Sequence, residues 1–153
     1  MLDDRWDSHT SHFVAYGVPI PQAGTRIVQT AAGPRGITAG SPRLRPWRDV
    51  LSSEAQVCQI EGRRHTGPVA VEVEFRFPMT ATRQKVKKYR NEESIPKPFQ
   101  PDLDKLLRAV FDSLTVGGLL LDDAQVCEVH ATKREYVEGW SGANVLVRDL
   151  WTP

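Results

Sequence analysis

Asp102 and Asp104 flank a single leucine, and further along the chain Asp122 and Asp123 stand side by side. Carboxylates without histidine or cysteine companions offer only hard oxygen ligands, which select Mg²⁺ or Mn²⁺ over zinc or copper. If residues 102–104 are extended, both carboxylates point one way while Leu103 turns inward. Simpler roles compete. Aspartate is a preferred helix N-cap, and paired acids are common in turns. A cap accounts for one aspartate, however, and not for two with an apolar residue between them. Adjacent residues on a strand face opposite ways, so at most one of Asp122 and Asp123 joins the other pair. An EF-hand is excluded: counting from Asp102, position six is Leu107 rather than glycine and position twelve is Ser113 rather than glutamate. His9, His12, His65 and His130 are scattered, with no zinc spacing, and no phosphate-binding loop or dinucleotide fingerprint is present, so no nucleotide cofactor is expected.

The charge around these acids is segregated. Net charge is only +1, yet Arg26–Arg48 carries five arginines and no acid, and the segment RQKVKKYR (83–90) holds five basic residues in eight. Asp102–Glu128, by contrast, holds six acids against Lys105 and Arg108. Basic segments around a small acidic pocket suit a protein that grips a polyanion and places a cation where it reacts. Carboxylate-held magnesium inside a basic framework fits phosphoryl chemistry on nucleic acid, with the ion activating a water and neutralising the scissile phosphate. Arg108 stays charged, so it can stabilise a transition state but cannot shuttle a proton. Asp104, Arg108 and Asp112 also recur at helical spacing, which taken alone reads as an exposed ion-pair ladder.

The elements that must position these residues are legible in outline. The chain has 153 residues, 40% hydrophobic and 25% charged, which fits one globular domain. Residues 1–11 read as a flexible tail and 12–153 as the domain. Phe13–Val18 is a strand candidate, and 23–46, rich in Gly, Pro and Arg, reads as a long loop. Pro46 is placed as the first residue of a helix running to Gly62. Val69–Phe77 alternates apolar and polar residues, as a half-buried strand does. Leu103, Leu106, Leu107, Val110, Phe111 and Leu114 line one face of a second helix, closed by Gly117–Gly118. Val126–Thr132 and Ala143–Val147 complete the order β-α-β-α-β-β. That order is an α+β fold with a mixed sheet of about four strands and two main helices. No apolar run approaches the roughly 20 residues of a membrane span. Cys58 and Cys127 are too few for a disulfide scaffold, and a cytoplasmic setting is expected.

PDLDKLLRAVFDSL (101–114) followed by LLLDDAQVCEVHATK (119–133) closely resembles the RusA family of Holliday-junction resolvases, small endonucleases often carried by phages and prophages. FVAYGVPIPQAGTR (13–26) is similar, more loosely, to the family's opening strand and proline turn. The resemblance implies a homodimer that binds four-way DNA and makes paired, symmetric nicks with Mg²⁺, for which Mn²⁺ substitutes. It places metal-binding aspartates at Asp102, Asp104 and Asp123, with Asp122 as a lesser neighbour. The family's catalytic lysine falls on Arg108, a departure that keeps the charge and removes proton transfer; Lys105 and Lys133 are the two alternatives that would compensate for it. Independently of the family, two symmetric cuts call for two copies of a single acidic cluster, which a twofold dimer supplies. Arg26, Arg35, Arg83, Lys85, Lys87, Lys88, Arg90, Lys105 and Lys133 are the candidate DNA contacts, expected to be salt-sensitive and blind to sequence. The same chemistry on flaps or forks, a junction-binding protein with weak cleavage, and an interaction domain whose acids merely cap a helix are the competing readings.

Overall fold

The computed structural model describes residues 10–38, 41–62 and 64–151, the side chains of residues 25, 26, 37 and 38 aside. The tail before residue 10 therefore lies outside the described residues. Strand β1 (Thr10–Tyr16) already includes Thr10 and Ser11.

The centre of the molecule is β4 (Val69–Pro78), whose alternation puts Val69, Val71, Val73, Phe75 and Phe77 on one face. It pairs in parallel with β6 (Val126–Tyr136) and antiparallel with β7 (Gly142–Asp149), which in turn pairs antiparallel with β1. The short edge strand β5 (Ser94–Pro96) completes a five-stranded mixed sheet of order β1-β7-β4-β6-β5. Helices α1 (Leu44–Ile60) and α3 (Leu103–Val116) lay their apolar stripes on the core face of this sheet. A parallel strand pair needs a crossover connection, and α3 lies within the one that joins β4 to β6. Leu106, Ala109, Val110 and Leu114 of α3 meet Leu51, Ala55 and Cys58 of α1 in one cluster with the strand residues. Gly117, just beyond α3, makes that packing possible: a Cβ there would lie 2.5 Å from the Ser52 carbonyl oxygen and 2.8 Å from the Ala55 Cβ. Gly118 follows at φ +77, turning the chain out of the helix.

Two expectations are corrected. The segment 23–46 is not a continuous loop: it contains an antiparallel hairpin of β2 (Thr25–Thr30) and β3 (Gly33–Thr38). Helix α1 begins at Leu44, so Pro46 sits within its first turn, where no intrahelical N–H is required of it. The sheet also gains β5, a three-residue strand with too few residues to show alternation. The basic segment after β4 forms a single helical turn, α2 (Ala81–Gln84), and a 3₁₀ turn over Lys87–Tyr89.

Candidate active site

Asp102 occupies the N-cap position of α3 with extended backbone, yet its side chain caps nothing. Its Oδ2 lies 3.0 Å from the Lys105 ammonium, which holds its carboxyl below the usual carboxylate range. Asp104 is already within the first helical turn and exposed. The two are thus two residues apart across the start of a helix, about half a turn around its axis, and not neighbours on one face of an extended segment. The approach to them is tied down by Lys133, whose Nζ donates to the carbonyls of Phe99 and Pro101, each at 2.7 Å. The Gln100–Pro101 peptide bond between those carbonyls is cis.

From Asp104 the exposed edge of α3 continues through Arg108 to Asp112, each step about 6 Å along the axis. The expected ion-pair ladder is not formed. Among the described residues Asp104 and Arg108 make no ion pair, and Asp112 turns to other partners. Gln22 donates from its amide to Asp112 Oδ2, and Arg48 of α1 stands 4.0 Å from the same oxygen. The Gln22 backbone N–H also donates to the Lys105 carbonyl at 3.0 Å. Those two bonds carry the chain between β1 and β2 across α3, so that a Cβ on Gly24 would lie 3.2 Å from the Arg108 guanidinium. The hairpin that follows is therefore delivered to the acidic edge of the helix.

The second acidic motif sits in the turn before β6. Asp122 caps the 3₁₀ turn Asp123–Gln125, accepting from the Ala124 N–H at 2.8 Å. Gln125 closes the turn from the other side. Its Oε1 accepts from the N–H groups of Leu121 and Asp122, and its Nε2 donates to the His65 and Gly67 carbonyls. With Asp122 occupied in this way, Asp123 is the carboxylate of the pair that does not cap the turn. Partial desolvation, followed by the neighbouring Asp122 and Asp112 carboxylates, pushes the Asp123 carboxyl up from its ordinary value. Asp112 and Asp123 therefore sense one another, although sequence spacing gave Asp112 no part in the site. The signal for Asp112 lay in its position two turns beyond Asp104; for Gln22 there was none.

The donor chemistry is all oxygen and suits a hard divalent ion, and the repulsion at Asp123 is of the sign that a cation relieves. The described residues gather no three metal-ligating side chains at one point. Asp102, Asp104 and Asp112 form instead a strip of carboxylates along α3, interrupted by Arg108, and Asp123 approaches this strip from the turn before β6.

The candidate DNA contacts divide into two groups. Lys105 and Lys133 are bonded within the site, and Arg83 is drawn inward, its Nε donating to buried Glu135 while its guanidinium lies 4.8 Å from the Phe99 ring centre. Arg35, Lys85, Lys87, Lys88 and Arg90 are exposed, and the Arg26 side chain lies outside the described residues. A serine–histidine–aspartate relay is also present, with Ser11 Oγ 2.9 Å from His65 Nε2 and Asp149 Oδ1 2.7 Å from Nδ1. Ser11 is wholly buried, so this relay ties β1 to the end of β7 and offers no nucleophile to a substrate.

Comparison with curated proteins finds no similar sequence. The family model for Endodeoxyribonuclease RusA matches residues 17–147, which spans the acidic residues, the hairpin and every strand of the central sheet except β1 and the end of β7. The chain therefore belongs to the RusA family of Holliday-junction-resolving endodeoxyribonucleases.

Proposed function

We propose that this endonuclease works as a homodimer, uses Mg²⁺ or Mn²⁺, and opens four-way DNA by paired, symmetric nicks with the acidic edge of α3 as its cutting site. The observation that carries this reading is the strip itself: exposed carboxylates on one rigid helix, beside a hairpin and a turn rich in arginine and lysine. Asp102, Asp104 and Asp123 would hold the ion, with Asp122 reserved for its turn. When bound, the ion supplies an activated water and neutralises charge on the phosphodiester.

The chain's own residues do the rest. Lys133 and Lys105 fix the segment that presents Asp102. Gln125 holds the turn that presents Asp123. Arg108, one turn from Asp104 and close to the Gly24 backbone, offers a permanent positive charge to phosphate oxygens; as a guanidinium it stabilises charge and leaves proton transfer to water. Arg26 and Arg35 on the hairpin, with Lys85, Lys87, Lys88 and Arg90, hold the junction arms through sequence-independent phosphate contacts. Cytoplasmic action belongs to this reading and is supported by Cys58 and Cys127 being thiols rather than a disulfide.

The test is cleavage of an end-labelled four-way junction and a matched linear duplex, with Mg²⁺ or EDTA, by wild type and Asp104→Asn. Symmetric nicks on the junction alone, lost in EDTA and in the variant, are expected. Cutting that survives Asp104→Asn overturns the assignment of the strip. Equal cutting of flaps or forks removes the junction preference and leaves the chemistry.

A further inference from the structure

Arginines also gather at a place that the strip does not include. A cleft of about 360 Å³ opens between the first turns of α1 and the last turn of α3, with Arg45 and Arg48 on one wall and Ser113 and Val116 on the other. The charge here has the opposite sign to what a helix N-terminus favours. The first turn of α1 holds no acid, and its N-cap is Arg43, whose side chain makes no cap bond; the Arg43 and Leu44 N–H groups are met by the Oγ and the carbonyl of Ser41. Asp49 is the single acid among the lining residues, against two guanidinium groups. Cations stacked on the positive end of a 17-residue helix call for an anion, and the guanidinium fork suits a phosphate. The cleft also has a direction, because Arg48 reaches Asp112 at 4.0 Å, and Asp112 belongs to the acidic strip.

We propose that this cleft binds a backbone phosphate of the DNA strand lying across the α3 strip, with Arg45 and Arg48 as its ligands. The inference rests on the strip being the cutting site and adds to it a path for the strand, from the edge of α3 onto the start of α1. Neither arginine is singled out by sequence: Arg45 lies in the segment that reads as a loop, and Arg48 in the first turn of the helix expected from Pro46. Their convergence on one cleft depends on α1 beginning at Leu44 and on Gly117 allowing the two helices to approach.

The test is junction binding in EDTA, where no cutting occurs, measured between 50 and 200 mM salt for Arg45→Gln, the double variant Arg45→Gln/Arg48→Gln, Arg45→Lys, and Arg64→Gln as a control beyond the far end of α1. Melting temperature is followed for each protein. A phosphate contact contributes about 0.9 to the slope of log affinity against log salt. Loss of one such contact therefore removes roughly threefold of the salt sensitivity over this range. Arg45→Gln should lose one such step and the double variant two, while Arg45→Lys and Arg64→Gln keep the wild-type slope. A wild-type slope in the folded double variant overturns the proposal, and so does an equal loss in Arg64→Gln, which would mean diffuse charge. Asp104→Asn leaves the cleft intact and should bind with the wild-type slope. If that variant still cuts, the strip reading fails, and the slopes still decide whether the cleft binds phosphate.

Discussion

Two clusters of charge sit on this chain, and they are built in opposite ways. Around Glu135 on β6, the carboxylate is buried and shared between Arg83 and Lys97, whose Nζ lies 3.2 Å away; Phe77, Tyr89 and Phe99 cover the two cations. Along α3 and in the turn before β6, the carboxylates are largely exposed and outnumber their cations, and one of them, Asp123, is raised by partial desolvation and by its acidic neighbours. The first cluster spends its charge internally, and Arg83 of the second basic segment is consumed in doing so. The second leaves charge unspent, and unspent charge of one sign on a rigid element is what a bound cation or substrate would use. Charge count alone does not separate the two kinds; burial and partner number do.

That contrast can be broken by substitution, beginning with the largest effect. Asp104→Asn should lower junction cleavage at least a hundredfold with melting temperature within about 2 °C of wild type, since it alters an exposed side chain. Quantitative gel cleavage and calorimetry check the two halves. Glu135→Gln should do the reverse. It leaves two cations around a neutral amide and should cost about 3–5 kcal/mol, a drop of roughly 10 °C, with any activity loss following the unfolded fraction. Gly117→Ala presses a methyl group into the α1 backbone and should cost about 1–3 kcal/mol, read from urea midpoints.

The smallest effect sharpens the comparison most. The Asp123 carboxyl is raised, so the stability it contributes is complete only below the ordinary carboxylate value and is lost as pH rises through the folded one. Asp123→Asn should therefore raise the melting temperature at pH 7 by no more than about 2 °C, and the gain should vanish below about pH 4. Asp102, held low by Lys105, behaves oppositely: its contribution is present above the ordinary carboxylate range and fades as pH falls through the lowered value. A fall in melting temperature for Asp123→Asn at pH 7 would show that the strip is internally satisfied after all, like the Glu135 cluster.

The parts of this architecture that the sequence announces are those with long, clean periods. The six apolar positions of α3 and the alternation of β4 define the central helix and strand because each buries one face over many residues. The hairpin β2–β3 was missed because it forms its own two-stranded sheet, with Gly33, Pro34 and Gly36 in β3, and among its described side chains none is fully buried to impose alternation. Within the site, Asp102, Asp104 and Asp123 stand out by residue type. Asp112 did not, because its partners Gln22 and Arg48 come from distant parts of the chain. Nor could the inward turn of Arg83 be read, since it depends on a buried glutamate more than fifty residues later.

The order of the strands in the sheet has a consequence for synthesis. Strand β7, which comes late in the sequence, lies between β1, which comes early, and β4 at the centre. A ribosome-bound chain that has emerged only as far as Asp123 thus carries all the acids of the strip but has no bridge joining β1 to the rest of the sheet. Its α1–α3 core lacks Ala143, Val145 and Val147 beneath it. The sheet beneath the acidic residues is thus complete only when translation has delivered β7, and an interrupted product carries the acids without that support.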